Sequence, residues 1–85
     1  MTYEVLDVKH GNKRIIYRFS LPARLDLKTV NLGSSDKARK FAIDTYNNVI
    51  DELGINPQDH LVALKSMKKI IATRIKEKIK SYTPS

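Results

Sequence analysis

Four cationic side chains fall where a β-hairpin and its neighbouring strand would gather them on one surface. Lys9, Arg14 and Arg18 share a face if Gly11-Asn12 is the hairpin loop, and Lys28 joins them from a third strand. An arginine fork matches the edge of a guanine, and a lysine neutralises a phosphate. A ribbon carrying such a face can enter the major groove of duplex DNA. The plainer reading is an ordinary charged solvent face on a one-sided antiparallel sheet. Asp7 favours that reading, because it can pair with Arg14 or Arg18.

A second set of cations crowds the last third of the chain: Lys65, Lys68, Lys69, Arg74, Lys76, Lys78 and Lys80. They suit a helix that meets phosphates, or a solubilising face whose long stems cover apolar surface. Lys68 and Lys78 lie close to that helix's apolar stripe, which favours a projecting arm that meets phosphates, or a partner helix, over a fully packed element. A membrane-surface helix would want Trp at its boundary, and the chain has none.

Catalysis finds little support. His10 and His60 fall at a turn and at a helix start, with no partner at the spacing a metal site or a nucleophile–base pair uses. Both are expected at the surface. Asp44, Asp51 and Glu52 fall on the polar side of a helix, where they balance Lys37, Arg39 and Lys40. Three dispersed glycines form neither a Walker loop nor a dinucleotide-binding turn. Cysteine is absent, which leaves no thiolate ligand and no disulfide framework. The expectation is a chain with no catalytic residues, no metal and no cofactor.

The elements that must position the cations follow from pattern. Tyr3 to Ser20 predicts a hairpin, since two β-branched and aromatic runs flank a Gly-Asn pair. The implied register sets His10 against Lys13, Val8 against Ile15, Leu6 against Tyr17 and Glu4 against Phe19. That face is apolar. The other sets Lys9 against Arg14, Asp7 against Ile16 and Val5 against Arg18, and it is basic. Tyr17 and Phe19 resemble base-stacking aromatics of RNA-binding sheets, but their place beside Leu6, Val8 and Ile15 predicts core packing. Leu21-Pro22-Ala23-Arg24 predicts a turn. Leu25 to Leu32 predicts a third strand, with a bulge near Thr29 to reconcile Leu25 and Leu27 with Val30 and Leu32.

Gly33-Ser34-Ser35-Asp36 offers helix caps. A helix from about Asp36 to Leu53 follows, with Ala38, Phe41, Ala42, Thr45, Val49, Ile50 and Leu53 as its apolar stripe and Gly54 as its stop. Asn56-Pro57 opens a second helix that runs to about Tyr82. Leu61, Leu64, Met67, Ile71, Ile75 and Ile79 line one side of it, a stripe long enough to pair two copies of the chain. Thr83-Pro84-Ser85 predicts a frayed end.

With 85 residues this is one domain: a β region over 1–32, a first helix over 33–54 and a second, basic helix over 55–85. Lys and Arg number 16 against 9 Asp and Glu, a formal charge of +7. The β region and the second helix carry that excess, while the first helix is slightly acidic. Such a field draws nucleic acid, acidic protein surfaces or anionic lipid. No apolar run approaches the roughly 20 residues that cross a bilayer. The start, Met-Thr-Tyr-Glu-Val, has neither the basic nor the apolar region of a signal peptide, so a cytoplasmic protein is expected.

The stretch from Lys13 to Leu53 resembles the AP2-type DNA-binding fold and the related arm-binding domains of tyrosine recombinases. The resemblance rests on Lys13-Arg14-Ile15-Ile16-Tyr17-Arg18-Phe19, a turn, a strand ending Leu32-Gly33-Ser34, and a helix containing Phe41-Ala42-Ile43-Asp44-Thr45-Tyr46. It implies a helix packed behind a three-stranded sheet whose other face enters the major groove. It also implies Arg14, Arg18 and Lys28 as contacts.

The expected fold is α+β: a three-stranded antiparallel sheet packed on one helix, then a second long basic helix. The expected function is non-catalytic binding of nucleic acid, with double-stranded DNA favoured over RNA. Lys9, Arg14, Arg18 and Lys28 would act from the sheet, and Lys65, Lys68, Lys69, Lys76 and Lys80 from the second helix. A compact binder of this kind suits a phage, virus or mobile element acting in a host cytoplasm. The competing reading is a small inhibitor or adaptor that docks on an acidic partner protein through the apolar stripe of the second helix.

Overall fold

The computed structural model describes residues 3–20 and 24–84. Three antiparallel strands, β1 (Tyr3–His10), β2 (Lys13–Ser20) and β3 (Arg24–Val30), lie side by side in sequence order. Helix α1 (Ser35–Glu52), a short 3-10 turn (Pro57–Asp59) and helix α2 (His60–Ser81) follow. The expected α+β architecture is the one observed.

The hairpin register is the one read from the loop: His10 opposes Lys13, Leu6 opposes Tyr17, and Glu4 opposes Phe19. Gly11 has φ +62 while Asn12 stays out of the left-handed region, the pattern of a type II′ turn. Only glycine takes that first position without strain. Leu6, Val8, Ile15, Tyr17 and Phe19 are consequently all buried on one side.

The third strand corrects an expectation. β2 and β3 pair without interruption from Ser20↔Arg24 to Arg14↔Val30, so no bulge forms near Thr29. The phase shift has a different origin. The strand ends at Val30, and Asn31 takes φ 59, a left-handed conformation that asparagine tolerates. Its side-chain amide donates to the Asn12 carbonyl at 2.7 Å. The turn drops Leu32 into the core. Arg24, assigned by sequence to the preceding turn, is the first residue of β3, while residues 21–23 lie outside the described segments.

Helix α1 lies over β2 and β3. Ala38, Ala42, Thr45, Tyr46, Val49 and Ile50 are its buried side, and the Tyr17 hydroxyl donates to the Ala42 carbonyl at 2.7 Å. The helix stops in a Schellman arrangement: Ile55 N–H donates to Ile50 O and Gly54 N–H to Asp51 O, each at 3.0 Å. Gly54, at φ +68, supplies the left-handed residue this needs. Asn56 then accepts from Gln58 N–H at 3.0 Å and starts the next element, with Pro57 at its first position.

Helix α2 is not a projecting arm. Leu64, Ile71, Ile75 and Ile79 are completely buried, packed mainly on β1 and α1. Both helices therefore cover the same apolar sheet face. Of the stripe expected to pair two copies, or to dock on a partner protein, Leu64, Ile71, Ile75 and Ile79 are covered within the chain, while Leu61 and Met67 are half-buried. The helix bends at Met67, which has φ −120 and ψ 20. Its start lies by Phe19, where His60 packs edge-on against that ring. Its end lies at the opposite end of the sheet, where the Lys13 ammonium donates to the carbonyls of Ile79 (3.0 Å) and Tyr82 (2.5 Å). A cation there satisfies open carbonyls and faces the negative end of the helix dipole. Tyr82 stacks on Phe41 and donates to Leu32 O, so α2 is anchored to α1 and to the end of the sheet.

Two substitutions test this packing by denaturant titration. Ile75→Val should cost about 0.5–1.5 kcal/mol, as trimming a fully buried methylene does. Lys13→Met should cost about 1 kcal/mol through the lost helix cap. Parent-like stability in both would mean that α2 does not rest on the sheet.

Candidate nucleic-acid interface

The sheet divides its side chains by parity. Residues opposite one another point to the same side, so the pairings place Val5, Arg18 and Asp26 in one row of the outer face. Asp7, Ile16 and Lys28 form the next, and Lys9, Arg14 and Val30 the third. Arg24 adds a further cation beside Ser20. The structure thus brings together all four sheet cations expected from sequence and adds Arg24. The signal for Arg24 was present: it stands two residues before Asp26 and four before Lys28, in phase with the alternation around Leu25 and Leu27. Assigning it to the turn hid it.

The cations on this face are not equivalent. Arg14 donates through Nε and Nη2 to the two carboxylate oxygens of Asp7, at 2.9 and 2.5 Å. The guanidinium holds the Asp7 carboxyl below its ordinary pKa, first through these hydrogen bonds and then through its charge. The Nε–Nη2 edge of the fork is taken in this way, and Arg14 keeps only its Nη1 end for another ligand. Lys9, Arg18, Arg24 and Lys28 make no ion pair among the described residues. Lys9, Arg18, Arg24 and Lys28 are also exposed.

The cations of α2 occupy a different surface. Lys65, Lys68, Lys69, Lys76 and Lys80 are all exposed, but α2 lies on the opposite side of the sheet from the outer face. Lys68 is in line with the buried Ile75 and Ile79, yet it emerges beside the bend at Met67. Lys78 turns to α1 and pairs with Glu52 at 3.1 Å. The two basic sets expected from sequence are therefore not one continuous face.

The histidines also depart from expectation. His60 is half-buried, with its ring edge-on to Phe19 and Tyr46 and its Nδ1 2.9 Å from the Tyr46 hydroxyl. In the neutral tautomer protonated at Nε2, the phenol donates to Nδ1. Burial lowers the His60 pKa and raises that of the Tyr46 phenol. His10 is half-buried at the end of β1. A groove of about 510 Å³ opens beside the aromatic cluster, walled mainly by Phe19, Leu25, Tyr46, Ile50, Ile55 and Leu61. No group of three or more His, Cys, Asp or Glu able to hold a metal occurs among the described residues. Among them, no helix is long and apolar enough to cross a membrane.

The lowered His60 pKa fixes the sign of a pH effect. The unfolded chain binds the proton more readily than the folded one, so this site's stability is full above about pH 6.5, the ordinary histidine value. It declines as pH falls from there through the folded pKa. Urea titrations between pH 7.5 and 5 should show this decline in the parent and a shallower one in His60→Gln. Equal slopes would mean that His60 is not desolvated in the fold.

No protein-family model matches the chain, and neither the curated proteins nor the solved structures contain a match to it.

Proposed function

We propose that this protein is a non-catalytic module that binds duplex DNA with the outer face of its sheet. The observation that supports the reading best is the segregation of Lys9, Arg14, Arg18, Arg24 and Lys28 onto one side of a three-stranded sheet whose other side packs against the helices. Five cations face two carboxylates, Asp7 and Asp26, and one pair is internally satisfied. Arg18 sits on the central strand, where a ribbon penetrates a groove most deeply, with Lys28 on the adjacent strand. Arg18 is the base-reading candidate, and Lys9, Arg24 and Lys28 are phosphate or base contacts. Arg14 positions Asp7 and contributes charge. The absence of cysteine suits a reducing cytoplasm, and the small size suits a mobile-element or viral binder.

The competing reading, an adaptor for an acidic protein, depended on the apolar stripe of α2. Leu64, Ile71, Ile75 and Ile79 of that stripe are buried, which leaves less apolar surface for such docking.

Selection from a pool of random duplexes, followed by competition binding, tests the proposal. Parent affinity should fall with salt at a log–log slope of about −0.9 per phosphate neutralised. Arg18→Ala with Lys28→Ala should leave stability within about 0.5 kcal/mol, since both side chains are exposed. The pair should lose about 1–3 kcal/mol of discrimination between selected and random duplexes for each specific contact removed. Arg14→Ala should lose much less discrimination. A double variant that discriminates as the parent does would show that the sheet is not the reading surface.

A further inference from the structure

The flank beside β1 joins two features that sequence alone keeps apart. β1 is an edge strand, paired on one side only. With His10 and Lys13 flanking a two-residue loop, the even residues of β1 exchange hydrogen bonds with β2, and Val5, Asp7 and Lys9 direct their backbone N–H and C=O groups outward. No backbone hydrogen bond from another element reaches these groups among the described residues. Helix α2 packs on β1, starting beside Phe19 and ending beside Lys13, so it runs in the same sense as that strand.

Helical geometry then sorts the α2 cations. At about 100° per residue, Lys69, Lys76 and Lys80 fall within roughly 40° of one another. Lys78, which reaches Glu52 on α1, falls on the other side of the buried line through Ile71, Ile75 and Ile79. The three-lysine stripe therefore faces away from α1, over the open edge of β1. All three lysines are exposed and make no ion pair among the described residues. A second copy pairing through this edge would bring the two stripes together, which like charge opposes. The flank calls for an anionic occupant.

The dimensions identify that occupant. Three strands at about 4.8 Å spacing span roughly 10 Å between the outer two, and the major groove is about 12 Å wide and 8.5 Å deep. A sheet seated in the groove brings a phosphate wall up along its edge. We infer that the β1 edge and the stripe Lys69, Lys76 and Lys80 form a second anion-binding surface, which holds the sugar–phosphate backbone of the strand bordering the groove that the sheet occupies. This rests on the reading of the sheet as a duplex-binding face. It gives the two basic regions, which face different directions, a single ligand that bends around both.

The test is Lys69→Ser, Lys76→Ser and Lys80→Ser combined in the full chain, measured by fluorescence anisotropy on selected and random duplexes at several salt concentrations. The substituted positions are exposed, and circular dichroism verifies the fold. The salt slope should flatten by about 2–3 at roughly 0.9 per lost phosphate contact, with the ratio of selected to random binding unchanged. A parent that binds and a variant that keeps the parent slope would overturn the flank and leave the sheet reading intact. A parent that binds no duplex would overturn both. A poly-glutamate peptide that binds the parent, loses affinity in the variant and finds no counterpart in duplex binding would overturn the assignment in favour of an acidic protein partner.

Discussion

The two-residue loop at Gly11-Asn12 fixes the phase of the whole sheet. Side chains alternate along a strand, so a register shift of one residue would flip one strand against the other, turning either Leu6 and Val8 or Ile15, Tyr17 and Phe19 outward and carrying Lys9, or Arg14 and Arg18, inward. Burying cations without partners in this way costs more than a domain of this size can tolerate. The turn and the hydrophobic pattern therefore specify the same register. β3 inherits its phase from β2, which carries Lys28 and Arg24 to the same solvent face. The candidate binding surface is thus a consequence of folding the core correctly: the residues that cannot be buried are left together.

The helices serve this arrangement by closing the other side. Neither helix alone covers a sheet of three strands. α1 takes the β3 side and α2 the β1 side, and the aromatic cluster of Tyr17, Phe19, Tyr46 and His60 joins both helices to the sheet. Buried polar groups in this cluster are satisfied: Tyr17 donates to Ala42 O, and Tyr46 meets His60. Among the described residues, no buried side-chain nitrogen or oxygen lacks a partner. The outer face is left with no structural duty beyond solubility and the Arg14–Asp7 pair.

Short-range pattern carried the fold to the sequence reader, and long-range contact did not. The hairpin register, the Gly54 stop and the Asn56-Pro57 start are written in neighbouring residues, and all were legible. The destination of α2 was not. Leu64, Ile71, Ile75 and Ile79 describe an apolar stripe whether it rests on a sheet, on a second copy or on a partner protein. Which surface covers it depends on β1, more than fifty residues earlier. Lys13 shows the same limit, since a lysine after a hairpin loop gives no local sign that it caps a helix ending at Ser81. A bulge near Thr29 would place Leu32 within a strand, but β2 and β3 pair without interruption. Leu32 in fact belongs to the turn set by Asn31, whose left-handed backbone no periodicity reveals.

Charge count alone overstates the binding surface, because part of the excess positive charge is committed to the fold. Lys13 caps α2, Arg14 is held by Asp7, and Lys78 ties α2 to Glu52. Helix ends and carboxylates of this chain already engage part of the donor capacity of these cations, so an incoming phosphate competes with an existing partner. Lys9, Arg18, Arg24 and Lys28 on the sheet, and Lys69, Lys76 and Lys80 on the flank, are exposed and make no ion pair among the described residues. Displacing loosely held water and counterions is favourable where breaking a formed pair is not. The difference between the two sets is therefore one of prior engagement, and it ranks the cations by the free energy each has left to offer a ligand.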